Sequence, residues 1–144
     1  MTETKPKVET RTLLSTLWLF FLLNIIFRDI HQFLSPGYMD WVIAGEMFGQ
    51  KITDELLLFG GIAVEVMILM VLLPHVLSRP VLRVVNTIAA IFTCCLILYT
   101  PPIDPDDWFF LVICLVTLAA ITCIGWRRLA PETGRQDSIE RALS

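Results

Sequence analysis

No part of this sequence is basic enough to hold a nucleic acid. Its 11 Lys and Arg stand against 14 Asp and Glu over 144 residues, for a net charge of −3, and the basic residues sit beside apolar blocks rather than in patches of their own. The P-loop and the glycine-rich dinucleotide turn are missing, as are H-E-x-x-H and any nucleophile placed beside a base. No catalytic residue can therefore be named, and the chain reads as a non-enzyme. The four cysteines, Cys94, Cys95, Cys114 and Cys123, form no C-x-x-C. Adjacent cysteines are poorly placed to bridge, and all four fall in apolar runs, where free cysteine packs as a small hydrophobe. No second ligand stands at metal spacing from His31, so neither metal nor cofactor is expected. There is no internal repeat.

What the chain has is hydrocarbon. Apolar residues make up 56% of it, with a mean hydropathy of +0.71, above the roughly 45–50% of soluble chains. They are concentrated at 12–34, 54–77, 82–99 and 108–126. A helix needs about 20 such residues to cross a hydrocarbon core about 30 Å thick. The first block follows Lys5, Lys7 and Arg11 like a signal peptide. It runs on into "FRDIHQF" with no small-residue cleavage site, which fits an uncleaved anchor. Nine basic residues flank one side of the spans and two, Arg28 and Lys51, the other. Both termini are thus expected in the cytoplasm, with an acidic outer side.

Local signals punctuate the spans. Pro36 and Gly37 stop the first helix, and "YMDWVIAGEMFGQ", with Tyr38, Trp41 and Phe48, suits a short helix on the outer interface. Thr53 caps the second span, with Asp54 and Glu55 in its first turn. Pro74 and "SRP" at 78–80 close it and open the third. Asp104 caps the fourth ahead of Pro105, Asp106 and Asp107. Short connections place consecutive spans side by side. The fold class is all-α: a transmembrane antiparallel four-helix bundle at 12–128 with a short outer interfacial helix, between cytoplasmic tails at 1–11 and 129–144. Helix contacts are expected at Gly60 and Gly61, at Asn86, Ala90 and Thr93, and at Thr117, Ala120 and Cys123, because helices in lipid associate through close packing.

The polar residues inside the spans are the candidate site. Glu65 lies about 12–14 Å from either end of its span. An acid there costs on the order of 2.5–3.5 kcal/mol, which surrounding Leu, Ile and Val offset. Gly61, Glu65, Ile68 and Leu72 share one helical face, expected to look inward. Asn24, Arg28 and His31 share a face of the first span. Asn24, about 18 Å in, matches Glu65 in depth; Arg28, about 24 Å in, would have to lean inward. Glu65 is expected to be a neutral acid bonded to Asn24, or an ion paired with Arg28. A ligand-binding or polar cluster of Asn24, Arg28, His31, Glu65 and Asn86 follows, with His31 also readable as interfacial, Asn86 as packing glue, and the Glu65–Asn24 pair as a device that fixes helix register.

The segments "LSTLWLFFLLNIIFRDI", "GGIAVEVMILMVLL" and "LRVVNTI" resemble small bacterial DoxX-like four-helix membrane proteins of unknown function. The likeness spans about 13–126 and includes Leu14, Ser15, Thr16, Leu17, Trp18, Asn24, Asp29, Gly37, Gly45, Thr53, Glu65, Arg83 and Asn86. Two departures stand out: 66–70 lacks the proline and 114–122 lacks the second acid that the pattern carries, which speaks against a two-carboxylate mechanism. The resemblance implies a bacterial inner membrane and a four-helix bundle, and no reaction. The expected role is an accessory or ligand-binding bundle, its partners the lipid bilayer and a lipophilic small molecule or another membrane protein, with oligomers possible. The alternatives are a proton-coupled small-molecule transporter using Glu65 and a membrane subunit of a quinone-linked oxidoreductase.

Overall fold

The computed structural model describes residues 9–47, 50–100, 102 and 104–129. The expectations for the outer parts of both tails and for Phe48 lie outside them. The described chain runs α1 (Thr10–Leu34), α2 (Tyr38–Ile43), a two-residue antiparallel ladder of β1 (Glu46–Met47) and β2 (Gln50–Lys51), α3 (Asp54–Val76), α4 (Arg79–Tyr99) and α5 (Pro105–Arg128). The four long helices hold 21 to 25 residues, with hydropathy of 1.7 to 2.7 over their most apolar stretches. At about 1.5 Å per residue each is long enough to cross a bilayer. At most 33% of any such stretch is buried within the protein. The outward faces are Leu, Ile, Val and Phe, a surface that water would not tolerate at this extent. The chain is a multi-pass membrane protein.

The helix ends follow local chemistry. Gly37 takes φ 82° between α1 and α2, the left-handed turn its lack of a side chain permits. A second left-handed glycine, Gly45 at φ 71°, ends α2 early. The expected interfacial helix is therefore only six residues long, and the chain turns into the β1–β2 ladder, closed by the Ile52 amide donating to the Gly45 carbonyl at 2.8 Å. The Thr53 hydroxyl accepts from the Leu56 amide and caps α3. Pro74 does not close that helix. It is buried in the last turn, and α3 runs on to Val76, where the Leu77 amide reaches the Leu73 carbonyl at 2.9 Å. A proline so near the end removes one intrahelical bond without breaking the helix. Asp104 occupies the cap position of α5 but makes no capping bond; its carboxylate accepts from the Ser35 hydroxyl at 3.4 Å.

The four helices form a closed ring in which α1 packs on α3 and α5, and α4 completes the circuit. Neighbours run antiparallel. Near the end that holds the start of α1, the Ser15 hydroxyl donates to the Val71 carbonyl at 2.7 Å, and Arg11 reaches the His75 carbonyl at 3.3 Å, an acceptor the last turn of α3 leaves unbonded. We call this the terminal end and the opposite one the loop end. Leu14, Trp18 and Phe21 are fully buried at the centre with Met70, Leu82 and Ile121. Close packing rather than expulsion of water holds such a core together in lipid. Asn86, Ala90 and Thr93 face it as expected, as does Thr117, whereas Cys123 is exposed. Gly60 and Gly61 are also exposed, with open space where a side chain would be. The glycine that does admit a neighbour is Gly125, against Asn86.

Candidate functional site

Three polar features are set into this apolar frame, at three heights. The first lies at the loop end. Arg28 of α1 and Asp107 in the first turn of α5 form an ion pair, Nε to Oδ1 at 3.1 Å, with side chains only 9% and 3% exposed. Gln32, one turn beyond Arg28, donates to the same oxygen at 3.3 Å. His31 looks outward from it, its Nδ1 3.7 Å from Asp106 Oδ2 and its ring 5.9 Å from that of Phe110. Burial pushes the Tyr38 phenol at this end up from its ordinary range, and the Asp29 carboxylate acts in the same sense. A guanidinium is always charged. Its paired carboxylate makes the charge tolerable beneath the headgroups.

The second feature pins the core near the terminal end. The Trp18 indole N–H donates to Asn86 Oδ1 at 2.9 Å, and Asn86 Nδ2 donates to the Ile121 carbonyl at 3.4 Å. One amide thus joins α1, α4 and α5. A Cβ at position 125 would stand 3.1 Å from Asn86 Nδ2, so glycine there lets the amide lie flat against α5. One turn from Asn86, Arg83 stacks 3.7 Å over the Trp126 ring, whose N–H donates to the Thr87 hydroxyl at 3.0 Å. Asn86→Ala strands the buried Trp18 donor and is expected to cost about 1–2 kcal/mol in reversible unfolding in detergent. Gly125→Ala crowds an amide held at both ends and costs about 1 kcal/mol. In the Asn86→Ala background the Gly125→Ala effect should vanish, since the atom it collides with is gone.

The third feature is Glu65, and here the structure corrects the sequence reading. It stands midway along α3, with eleven residues before it and eleven after, and it is exposed. At 100° per residue it lies some 160° around the helix from Ala63 and Met67, which face the core. Gly61, Ile68 and Leu72 accompany it outward. Among the described residues none hydrogen-bonds its carboxyl. Asn24 does not reach it; the Asn24 amide donates to the Phe20 carbonyl of its own helix at 2.8 Å, a common way for a polar side chain to satisfy itself in a span. Arg28 belongs to Asp107. Among the described residues no hydrogen bond or ion pair joins any two of Asn24, Arg28, His31, Glu65 and Asn86: Arg28 and His31 share the loop end, Asn86 lies in the core and Glu65 on the lipid face.

Between α3 and α4 a cleft of about 410 Å³ opens, walled by Val66, Leu69, Leu73, Val85, Ile88 and Phe92. Its lining is apolar and offers no group that could donate, accept or attack. Among the described residues no cluster of three His, Cys, Asp or Glu could hold a metal ion. Asp107 is absent from the candidate residues of the sequence, where it figures only as part of the start of the fourth span. The signal was its place two residues into α5, level with Arg28 near the end of an antiparallel α1.

No curated protein and no solved structure matches the chain. The family match that exists carries neither a DoxX-like relationship nor a bacterial source. A family model described as "Family of unknown function (DUF6326)" matches residues 4–130, nearly the whole sequence, and the chain belongs to that family.

Proposed function

We propose that the chain is an accessory protein of the membrane, without catalytic chemistry of its own, that docks another membrane-spanning helix on the outward face of α3. The observation that carries this reading is the exposed carboxyl at the midpoint of that helix. An acid turned to acyl tails costs on the order of 2.5–3.5 kcal/mol, and a partner that hydrogen-bonds it recovers part of that. Gly60 and Gly61, open to the outside, let a backbone come close, and Ile68 and Leu72 extend the contact. In this reading the terminal end, with Arg11, Arg79, Arg83, Arg127 and Arg128, faces the cytoplasm, and the membrane is a bacterial inner membrane, a reading supported by the DoxX-like resemblance alone. The α3–α4 cleft supports a second reading, in which the alkyl part of a lipophilic molecule lies against the bundle.

The test is affinity purification of the full chain from its native membrane, as wild type and as Glu65→Leu, with mass spectrometry of protein and lipid. A membrane protein or further copy recovered in stoichiometric amount with wild type and lost with Glu65→Leu is the expected result. Identical composition for both sinks the docking reading. A bound lipophilic molecule unaffected by Glu65→Leu speaks for the cleft. Proton flux in proteoliposomes that disappears in Glu65→Gln speaks for the transporter.

A further inference from the structure

We infer that the helix docked on α3 is the α3 of a second copy of this chain, the two meeting across a two-fold axis along the membrane normal with Glu65 carboxyl facing Glu65 carboxyl. This rests on the docking reading above and names its partner.

Two Glu65 carboxyls are complementary in their hydrogen bonds. A carboxyl in its neutral form has one O–H donor and a carbonyl acceptor. Two such groups satisfy each other through a pair of reciprocal O–H···O bonds. Between Glu55 and His75 no other residue of α3 carries a charge or a polar side chain, so this pairing leaves nothing polar on the face without a partner. Symmetry also solves the problem of depth. A two-fold axis normal to the bilayer sets the same residue of both copies at one height, and in a two-fold interface equivalent patches contact each other. A different protein would have to bring its own polar side chain to the middle of the membrane at the matching level. Gly61, one turn from Glu65, has nothing beyond its own stretch of helix within 4 Å of where a Cβ would lie, and a glycine on each copy allows the helices to approach until the acid side chains meet. The inner side of α3, at Ala63, Met67, Met70 and Pro74, is occupied by the rest of the bundle, so dimerisation leaves the fold intact.

The experiment is disulfide crosslinking of the full chain in lipid vesicles at falling protein-to-lipid ratios, with the four native cysteines replaced by alanine. Leu72→Cys, on the proposed seam, is expected to give covalent dimers on oxidation. Val116→Cys, equally outward on α5, is expected to give none. Glu65→Leu should raise the dimer dissociation constant about tenfold, or about 1.4 kcal/mol, and Gly61→Leu should raise it at least as far. Photobleaching-step counts of the chain with its native cysteines and a fluorescent label at its N-terminus provide the same measurement should the cysteine replacements disturb the core. Dimers that crosslink at position 116 and ignore Glu65→Leu overturn the inference. A chain that stays monomeric in vesicles, yet loses a different membrane protein from the native purification on Glu65→Leu, overturns the second copy and leaves the docking reading standing. A monomer with no such loss removes both.

Discussion

Asp107→Ala is expected to destabilise the bundle by about 3 kcal/mol, the lower part of the range for removing one partner of a buried ion pair. The substitution leaves the Arg28 guanidinium, on a residue 7% exposed, with its Nε bond to Asp107 gone. Arginine cannot escape by losing its proton, so it must either drag water inward or swing toward the headgroups. The second route shortens the fall: Arg28 lies within two turns of the end of α1, where a long side chain can snorkel. Gln32 also loses an acceptor. Arg28→Met with Asp107→Leu should recover most of the loss, because apolar side chains of similar size avoid the desolvation that makes a single deletion so harmful. Unfolding curves in mixed detergent micelles for the two single variants and the double variant check this. A double variant as unstable as the worse single one would mean that Asp107 acts chiefly through contacts other than Arg28.

The membrane frame was legible in the sequence because it depends on one-dimensional quantities: length of apolar run, position of proline, acids at helix starts. Four spans emerged near their observed limits, and Thr53 and Gly37 do what their chemistry dictates. The site was not legible, because it depends on which way each helix is turned. For α4 the pattern answers, since Asn86, Ala90 and Thr93 mark a face unlike the rest. For α3 it does not. Nearly every residue from Leu56 to Leu73 is apolar, so no side of the helix is marked as inward, and a glycine one turn from an acid suits a neighbour within the chain or outside it equally well. Depth matching linked Glu65 to Asn24 at mid-membrane, yet depth without direction about the axis cannot pair two residues. At the loop end depth and face together point to the pair: Arg28, Gln32 and Ser35 descend one face of α1, and Asp104 and Asp107 sit opposite at the start of α5. As a cap and a first-turn acid these two only mark where α5 starts, a weaker demand than a buried guanidinium makes.

Glu65→Leu should ease insertion of α3 and leave the folded monomer unchanged, whereas on the docking reading it weakens the contact that α3 makes. For α3 alone, exchanging an acid for leucine at the centre of a span changes the insertion free energy from about +2.5–3.5 to about −0.3 to −0.6 kcal/mol for that residue. Membrane insertion of the isolated 54–76 segment, measured by glycosylation mapping, should improve by about 3–4 kcal/mol. The folded monomer should be indifferent, within about 0.5 kcal/mol, since an outward side chain with no protein partner contributes no internal contact to lose. Had the carboxyl faced the core and bonded there, the same substitution would strand its partner and cost about 1–3 kcal/mol, so monomer unfolding distinguishes the two orientations directly. On the docking reading, an acid that makes its own helix harder to insert and gives the folded monomer nothing in return acts where α3 meets something outside the chain. That is the physical reason to look for the protein's role on this face rather than in the loop-end ion pair, which is already satisfied.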